Sequence, residues 1–138
     1  MSQYLLIAGG TLFSILGLLH VIYTISDVYQ PRRLAPMDQA VIHQMASTGV
    51  RLAHGRTNMW DAWLGFNLSH GLGAVIFGLI CVGAGVFTRK LALPKVTLLI
   101  PVLVGVIYLL LAVRFWFRVP AIAIAIGTGF LFIGWVLY

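Results

Sequence analysis

Residues 57 to 87 read TNMWDAWLGFNLSHGLGAVIFGLICVGAGVF. From Ala62 to Phe87 no side chain in this run is charged. Roughly 20 predominantly apolar residues are enough for a helix to cross the hydrocarbon layer. The run is therefore expected to be a transmembrane helix over 59–87, capped at its start by Asn58, with Asp61 completing a capping box. It exceeds the length that the bilayer needs, so its first turns are expected among the head groups.

The same run carries a period. Trp63, Asn67, His70, Ala74, Gly78, Cys81 and Gly85 recur three or four residues apart and so share one narrow helix face. Apart from Trp63 the face is small or polar. Small residues let helix backbones approach closely in lipid, so this face is expected to meet neighbouring helices.

Working outward, the N-terminal side shows a second span over 4–25. It has Tyr4 and Tyr23 placed as interfacial aromatics and a polar-and-small face of Gly10, Ser14, Gly17, His20, Thr24 and Asp27. No basic n-region precedes it and no small-residue cleavage site leads into a polar chain, so it reads as a retained helix. Gln30-Pro31-Arg32-Arg33 ends it. A short amphipathic helix is expected over 36–48, opened by Pro36 and Asp38 and closed by Gly49. Its apolar side of Val41, Ile42, Met45 and Ala46 suggests that it lies flat on the membrane.

On the C-terminal side Arg89-Lys90 to Lys95 reads as a basic loop. A third span is expected over 96–113, with Pro101 bending it or lying near its first turns. Arg114-Phe-Trp-Phe-Arg118 reads as an aromatic-basic turn. Pro120 is expected to open a fourth span over 120–138, with Gly127, Gly129 and Gly134 at close contacts and Trp135 and Tyr138 at the far interface. The expected fold is all-α and integral to the membrane. It is a single transmembrane domain over 1–138, an antiparallel four-helix bundle with one interfacial helix.

Composition agrees. Apolar residues make up 61% of the chain and charged residues 9%, against roughly 25% charged in soluble domains. The formal charge is +6, but the cations fall between apolar segments without a basic, aromatic-interleaved run. Lipid head groups are their expected partners, and nucleic acid is excluded. The first and third loops carry Arg32, Arg33, Arg51, Arg56, Arg114 and Arg118, against Arg89, Lys90 and Lys95 in the second. That imbalance places the first and third loops in the cytoplasm and both termini outside. The lone Cys81 has no partner for an internal disulfide and reads as a packing residue.

Chemistry concentrates at two histidines. His20 lies near the end of the 4–25 span and His70 inside the 59–87 span, both about 8–10 Å below the same interface at 1.5 Å per residue. An ionisable side chain inside a membrane is a functional-site hypothesis by default. The bland reading is a hydrogen bond to a neighbouring helix, with Asn67, Ser69, Ser14 and Thr24 as partners. The sharper readings are a quinone or lipid head group held by the histidines and Asn67, a haem b with His20 and His70 as axial ligands and Arg114 and Arg118 on its propionates, and a metal ion on His20 and His70. A metal ion would want a third ligand, for which His43 or His54 would have to fold inward. Trp60 and Trp63 read as an interfacial belt.

The three acids, Asp27, Asp38 and Asp61, all fall at helix ends. Asp27 is expected to pair with Arg114 or Arg118. No carboxylate pair lies within a span, which argues against a proton pump. No hydrolytic triad order, phosphate-binding glycine loop or cysteine pair is present.

The runs TNMWDAWLGFNLSHGLG (57–73) and LLIAGGTLFSILGLLHVIYTISD (5–27) resemble an uncharacterised family of short bacterial four-span integral membrane proteins. The resemblance covers nearly the whole chain. It implies a bacterial inner-membrane location and this layout, and it implies no mechanism. The layout is also similar to DoxX-like proteins, without a shared specific motif. Small haem-dependent protoporphyrinogen oxidases share the span number and the membrane histidines as architecture alone.

The expectation is a non-catalytic accessory or ligand-holding subunit, working with other membrane subunits or by self-association. The alternatives are a haem b or quinone-binding electron-transfer component, and a lipid or small-molecule transporter.

Overall fold

The computed structural model of the protein describes residues 1–91 and 93–138. The described chain is 79% helical with no strand. Its elements are α1 (Ser2–Tyr29), α2 (Gln39–Ser47), a single 3-10 turn (Arg51–Ala53), α3 (Met59–Leu91), α4 (Leu99–Phe115) and α5 (Arg118–Val136). Among the described residues, three helical stretches are long and apolar enough to cross a membrane: Ser2–Tyr29, Met59–Phe87 and Arg118–Val136. Leu99–Phe115 is apolar but shorter. The chain forms two compact units, residues 1–16 with 74–138, and residues 17–73.

In the first unit the core is Leu6, Phe13, Cys81, Leu98, Val102 and Leu131, all buried. Phe13 sets its edge against Phe77 at 4.9 Å and Tyr108 at 5.9 Å between ring centroids. Glycines allow the helices to approach. A Cβ on Gly10 would lie 2.5 Å from the Gly78 carbonyl oxygen, and one on Gly85 would lie 2.8 Å from that of Gln3. Ser14 Oγ donates to the Val75 carbonyl at 3.4 Å. As numbers rise along α1 they fall along α3, so the two run antiparallel here. Ser2 Oγ donates to the Gly134 carbonyl at 2.7 Å, and Gly9 faces Gly127 and Leu131, so α5 also runs antiparallel to α1.

The link from α4 to α5 is shorter than expected. α4 continues through Phe115, Trp116 and Phe117 cap the two helices, and Arg118 already begins α5. Pro120 and Pro101 are each the third residue of their helices, in the first turn where a missing N–H costs no intrahelical bond. Across the hairpin Gly105 faces Thr128, whose buried hydroxyl has no hydrogen-bond partner among the described residues. Trp135 and Tyr138 tie down the α3–α4 connection: Trp135 Nε1 donates to the Lys95 carbonyl at 3.2 Å and Tyr138 Oη to that of Leu93 at 2.7 Å. The expected basic loop is shortened, because α3 runs through Arg89 and Lys90 to Leu91. Ala92, within that loop, lies outside the described residues.

In the second unit α1 and α3 again run antiparallel. A Cβ on Gly71 would stand 3.1 Å from the Gly17 carbonyl oxygen. α1 extends four residues beyond the expected Ile25, to Tyr29. α2 starts at Gln39 because Asp38 is its N-cap, with the side chain accepting from Ala40 N at 2.8 Å. Thr48 is the C-cap, and Gly49 forms an antiparallel bridge with Asn58 instead of a left-handed cap. The left-handed residues are His54 and Gly55. The capping pair at the start of α3 is present: Asn58 Oδ1 accepts from Asp61 N at 2.8 Å and Asn58 Nδ2 donates to Asp61 Oδ2 at 2.9 Å.

Outward faces in both units are apolar, with Leu18, Ile22, Leu79, Ile80, Leu110 and Ile122 all exposed. Among the described residues the buried polar side chains are Thr24, Asp27, Asn67 and Thr128. Polar inside and apolar outside is the arrangement that a lipid solvent demands.

Candidate functional site

The two expected polar faces of α1 and α3 meet in the second unit. His20 comes from α1; Asn67 and His70 come from α3, one turn apart. Asn67 is 2% exposed and the two imidazoles are half-buried. His20 Nε2 lies 3.0 Å from Asn67 Oδ1. The Asn67 amide nitrogen donates to the Trp63 carbonyl, four residues earlier, at 2.8 Å.

That second bond decides the first. A backbone carbonyl only accepts, so the amide must present its nitrogen to Trp63 and its oxygen to His20. The His20 contact then requires a proton on Nε2, which is the donor. Thr24 Oγ1 donates to the His20 carbonyl at 2.8 Å, which engages the side chain one turn further on.

His70 meets His20 edge to face, with ring centroids 5.3 Å apart and planes at 69°. Phe66 also stacks nearly parallel to His70, with centroids 6.0 Å apart and planes at 16°. Phe66 is 61% exposed, so the stack opens outward. Ser69 Oγ turns away from the cluster and donates to the Phe66 carbonyl at 2.9 Å.

Trp63 is exposed, as expected of an interfacial aromatic, and its carbonyl accepts from Asn67. Arg114 and Arg118 belong to the other unit, where the Arg114 guanidinium lies 5.2 Å from the Phe115 ring centre and Arg118 opens α5. His43 and His54 are exposed instead of folded inward. Among the described residues no group of three His, Cys, Asp or Glu side chains could hold a metal ion.

A haem b between the histidines does not fit this arrangement. Two axial imidazoles stand on opposite faces of a flat macrocycle, so their rings cannot touch. Here they are in edge contact, and His20 Nε2 is the hydrogen-bond donor to Asn67.

Asp27 is the residue that the sequence reading misjudged. The expected arginine side-chain partner is replaced by backbone. Oδ1 accepts from the N–H groups of Arg32 and Arg33, both at 2.8 Å, and Oδ2 from those of Leu34 at 2.6 Å and Ala35 at 3.1 Å. The carboxylate is 1% exposed. Four donors to one buried carboxylate satisfy both oxygens without a cation. They fold the chain back directly after α1.

No protein-family model, curated protein or solved structure matches the chain.

Proposed function

We propose that this chain is a non-catalytic accessory subunit of a membrane complex in a bacterial cytoplasmic membrane. In this reading α1, α3, α4 and α5 are four antiparallel spans. The apolar α4 completes the set, and the arginine-rich first and third loops face the cytoplasm. The observation that carries the reading is the interhelical polar network: His20 donates to Asn67, and Asn67 is anchored on Trp63. Such a network fixes helix register, as interhelical polar contacts do in lipid. The apolar outer faces are the surfaces left for other subunits. Gly83 and Gly129 have nothing within 4 Å of where a Cβ would stand, so a neighbouring helix can approach closely there.

The test is gentle extraction of the tagged protein at native expression level, followed by native gel electrophoresis. Migration in a larger assembly with other membrane proteins is the expected result. Migration as a lone monomer under several mild detergents would overturn the reading.

A second reading is favoured by the His20–His70 ring contact with Phe66 stacked outside it. In it the cluster holds the head group of a bilayer-soluble small molecule such as a quinone, with His70 and Phe66 as its flat walls. Organic extraction of the purified protein tests it. Quinone that is present in wild type and lost in His70→Ala supports the second reading, and a quinone-free extract removes it.

A further inference from the structure

We infer that the connection between α1 and α3 is a docking surface for anionic phospholipid, with the lipid phosphate held by the arginines of that connection, two of which the Asp27 clamp positions. The inference rests on the reading of the chain as membrane-embedded, and all of its residues lie in one compact unit.

The first observation is which charges are already engaged. The carboxylate of Asp27 is enclosed by four backbone N–H groups. Asp38 caps α2, and Asp61 is bound by Asn58 at the start of α3. Each local acid is thereby held by backbone or amide. Arg32, Arg33, Arg51 and Arg56 are exposed, and among the described residues none of them meets a carboxylate. The segment from 30 to 58 thus presents four arginines against the single carboxylate of Asp38.

The second observation is where one of these cations points. The Arg33 guanidinium lies 5.5 Å from the ring centre of Tyr23. Tyr23 is an outward-facing aromatic of α1, three residues beyond His20. Arg33 has folded back along the helix onto Tyr23, and in the membrane reading an interfacial tyrosine sits at the level of the head groups. A guanidinium over an aromatic ring keeps its N–H edge available for a phosphate oxygen.

The third observation is apolar. Met37 and Leu52 flank the arginines and are 102% and 89% exposed. Protruding apolar side chains beside cations suit a bilayer interface, where the apolar groups enter the acyl boundary and the cations stay with the head groups. A freely soluble acidic ligand would have no use for them.

Asp27 is the positioning residue. It touches no lipid, but it fixes the backbone N–H groups of Arg32 and Arg33, and so sets where both side chains leave the chain. The arginine display is built into the fold at this point.

The experiment uses the full chain, purified in a mild non-ionic detergent. Phosphatidylglycerol or phosphatidylcholine is added, and bound lipid is counted by native mass spectrometry. Phosphatidylglycerol should be retained at least ~5-fold better, the ratio that a single basic side chain is worth near an anionic surface. R33Q should lower the ratio, and R33Q combined with R51Q and R56Q should lower it further, with Arg32 alone remaining. R33K should keep part of the preference, because the charge remains while the planar fork is lost. Raising NaCl from about 0.05 to about 0.5 M should weaken the wild-type preference.

Equal retention of both lipids by wild type would overturn the inference. So would a preference that survives the triple variant but disappears in R114Q/R118Q. Each variant is checked for unchanged helicity and monodispersity, and R33K serves if R33Q does not fold. Arginines that show no lipid preference, yet are shielded from an arginine-directed reagent only in native membranes, would identify an acidic protein partner and sink the proposal. Failure of the underlying membrane reading looks different: the protein would leave membranes in an alkaline wash and stay soluble without detergent.

Discussion

His20 Nε2 and Asn67 Oδ1 stand 3.0 Å apart, joining α1 to α3 through a bond whose direction is set by a third group, the Trp63 carbonyl. The amide of Asn67 therefore does two jobs. It completes its own helix one turn back and presents an acceptor to the facing helix. Removing it leaves an imidazole N–H without its acceptor in a setting where water is scarce.

The pair should show measurable coupling. Asn67→Leu and His20→Leu are each expected to destabilise the protein by about 1–2 kcal/mol in a denaturing-detergent titration. The double variant should lose less than the sum, with a coupling of about 0.6–1.7 kcal/mol, the range of interhelical polar contacts in lipid. Strict additivity would show that the bond fixes nothing.

The Asp27 clamp predicts a protease phenotype. Asp27→Asn keeps one carbonyl oxygen but turns an NH₂ group toward two of the four backbone donors. The segment 31–35 should open by about 2–4 kcal/mol more readily. Trypsin cleavage at Arg32 and Arg33 in detergent should accelerate at least ~10-fold, while cleavage at Arg114 is unchanged. Equal cleavage rates in wild type and variant would mean that the clamp does not hold the loop.

How much of this was legible follows from what lipid hides. In water an apolar face marks the interior; in lipid both faces are apolar, and small or polar residues carry the signal instead. Reading for them found the buried side of α1, where Gly10, Gly17, Thr24 and Asp27 are indeed buried, and brought His20, Asn67 and His70 together. Trp63, expected as an interfacial aromatic, is exposed. The rule failed at Asp27. A carboxylate invites a search for a cation, whereas its partners here are four N–H groups that nearly any residues would supply. The one hint was Pro31, which lacks an N–H and directly precedes the four donors. The ends of α4 and α5 were hidden because prolines sit comfortably anywhere in a first turn, not only at its first position.

His70 separates a packing role from a ligand-holding one. His70→Phe keeps a flat ring against His20 and beside Phe66 but removes both nitrogens. If the ring serves only packing, stability should stay within about 1 kcal/mol of wild type, given that aromatic pairs contribute about 0.5–1.5 kcal/mol. Association with larger complexes should also persist. A stable His70→Phe protein that loses extractable quinone would instead transfer support to the second functional reading.

Two glycines on α3 offer an internal control on the helix contacts themselves. A Cβ at Gly78 would collide with Ser14 Oγ and with the backbone of Gly10 and Ser14, and backbone cannot rotate aside. At Gly83, little more than one turn further along the same helix, a Cβ would meet nothing within 4 Å. Both substitutions to Ala change helix propensity by the same amount, so their difference reports the contact alone. Gly78→Ala should destabilise by about 1–3 kcal/mol, the cost of overpacking where neighbours cannot yield. Gly83→Ala should stay within about 0.5 kcal/mol of wild type or gain slightly in isolated protein. Gly83 also faces the surface assigned to other subunits. Gly83→Leu should therefore leave the isolated protein folded while weakening its migration in a larger assembly. If Gly83→Leu leaves that assembly intact, this part of α3 faces lipid alone, and the partner must be sought on α5 around Gly129.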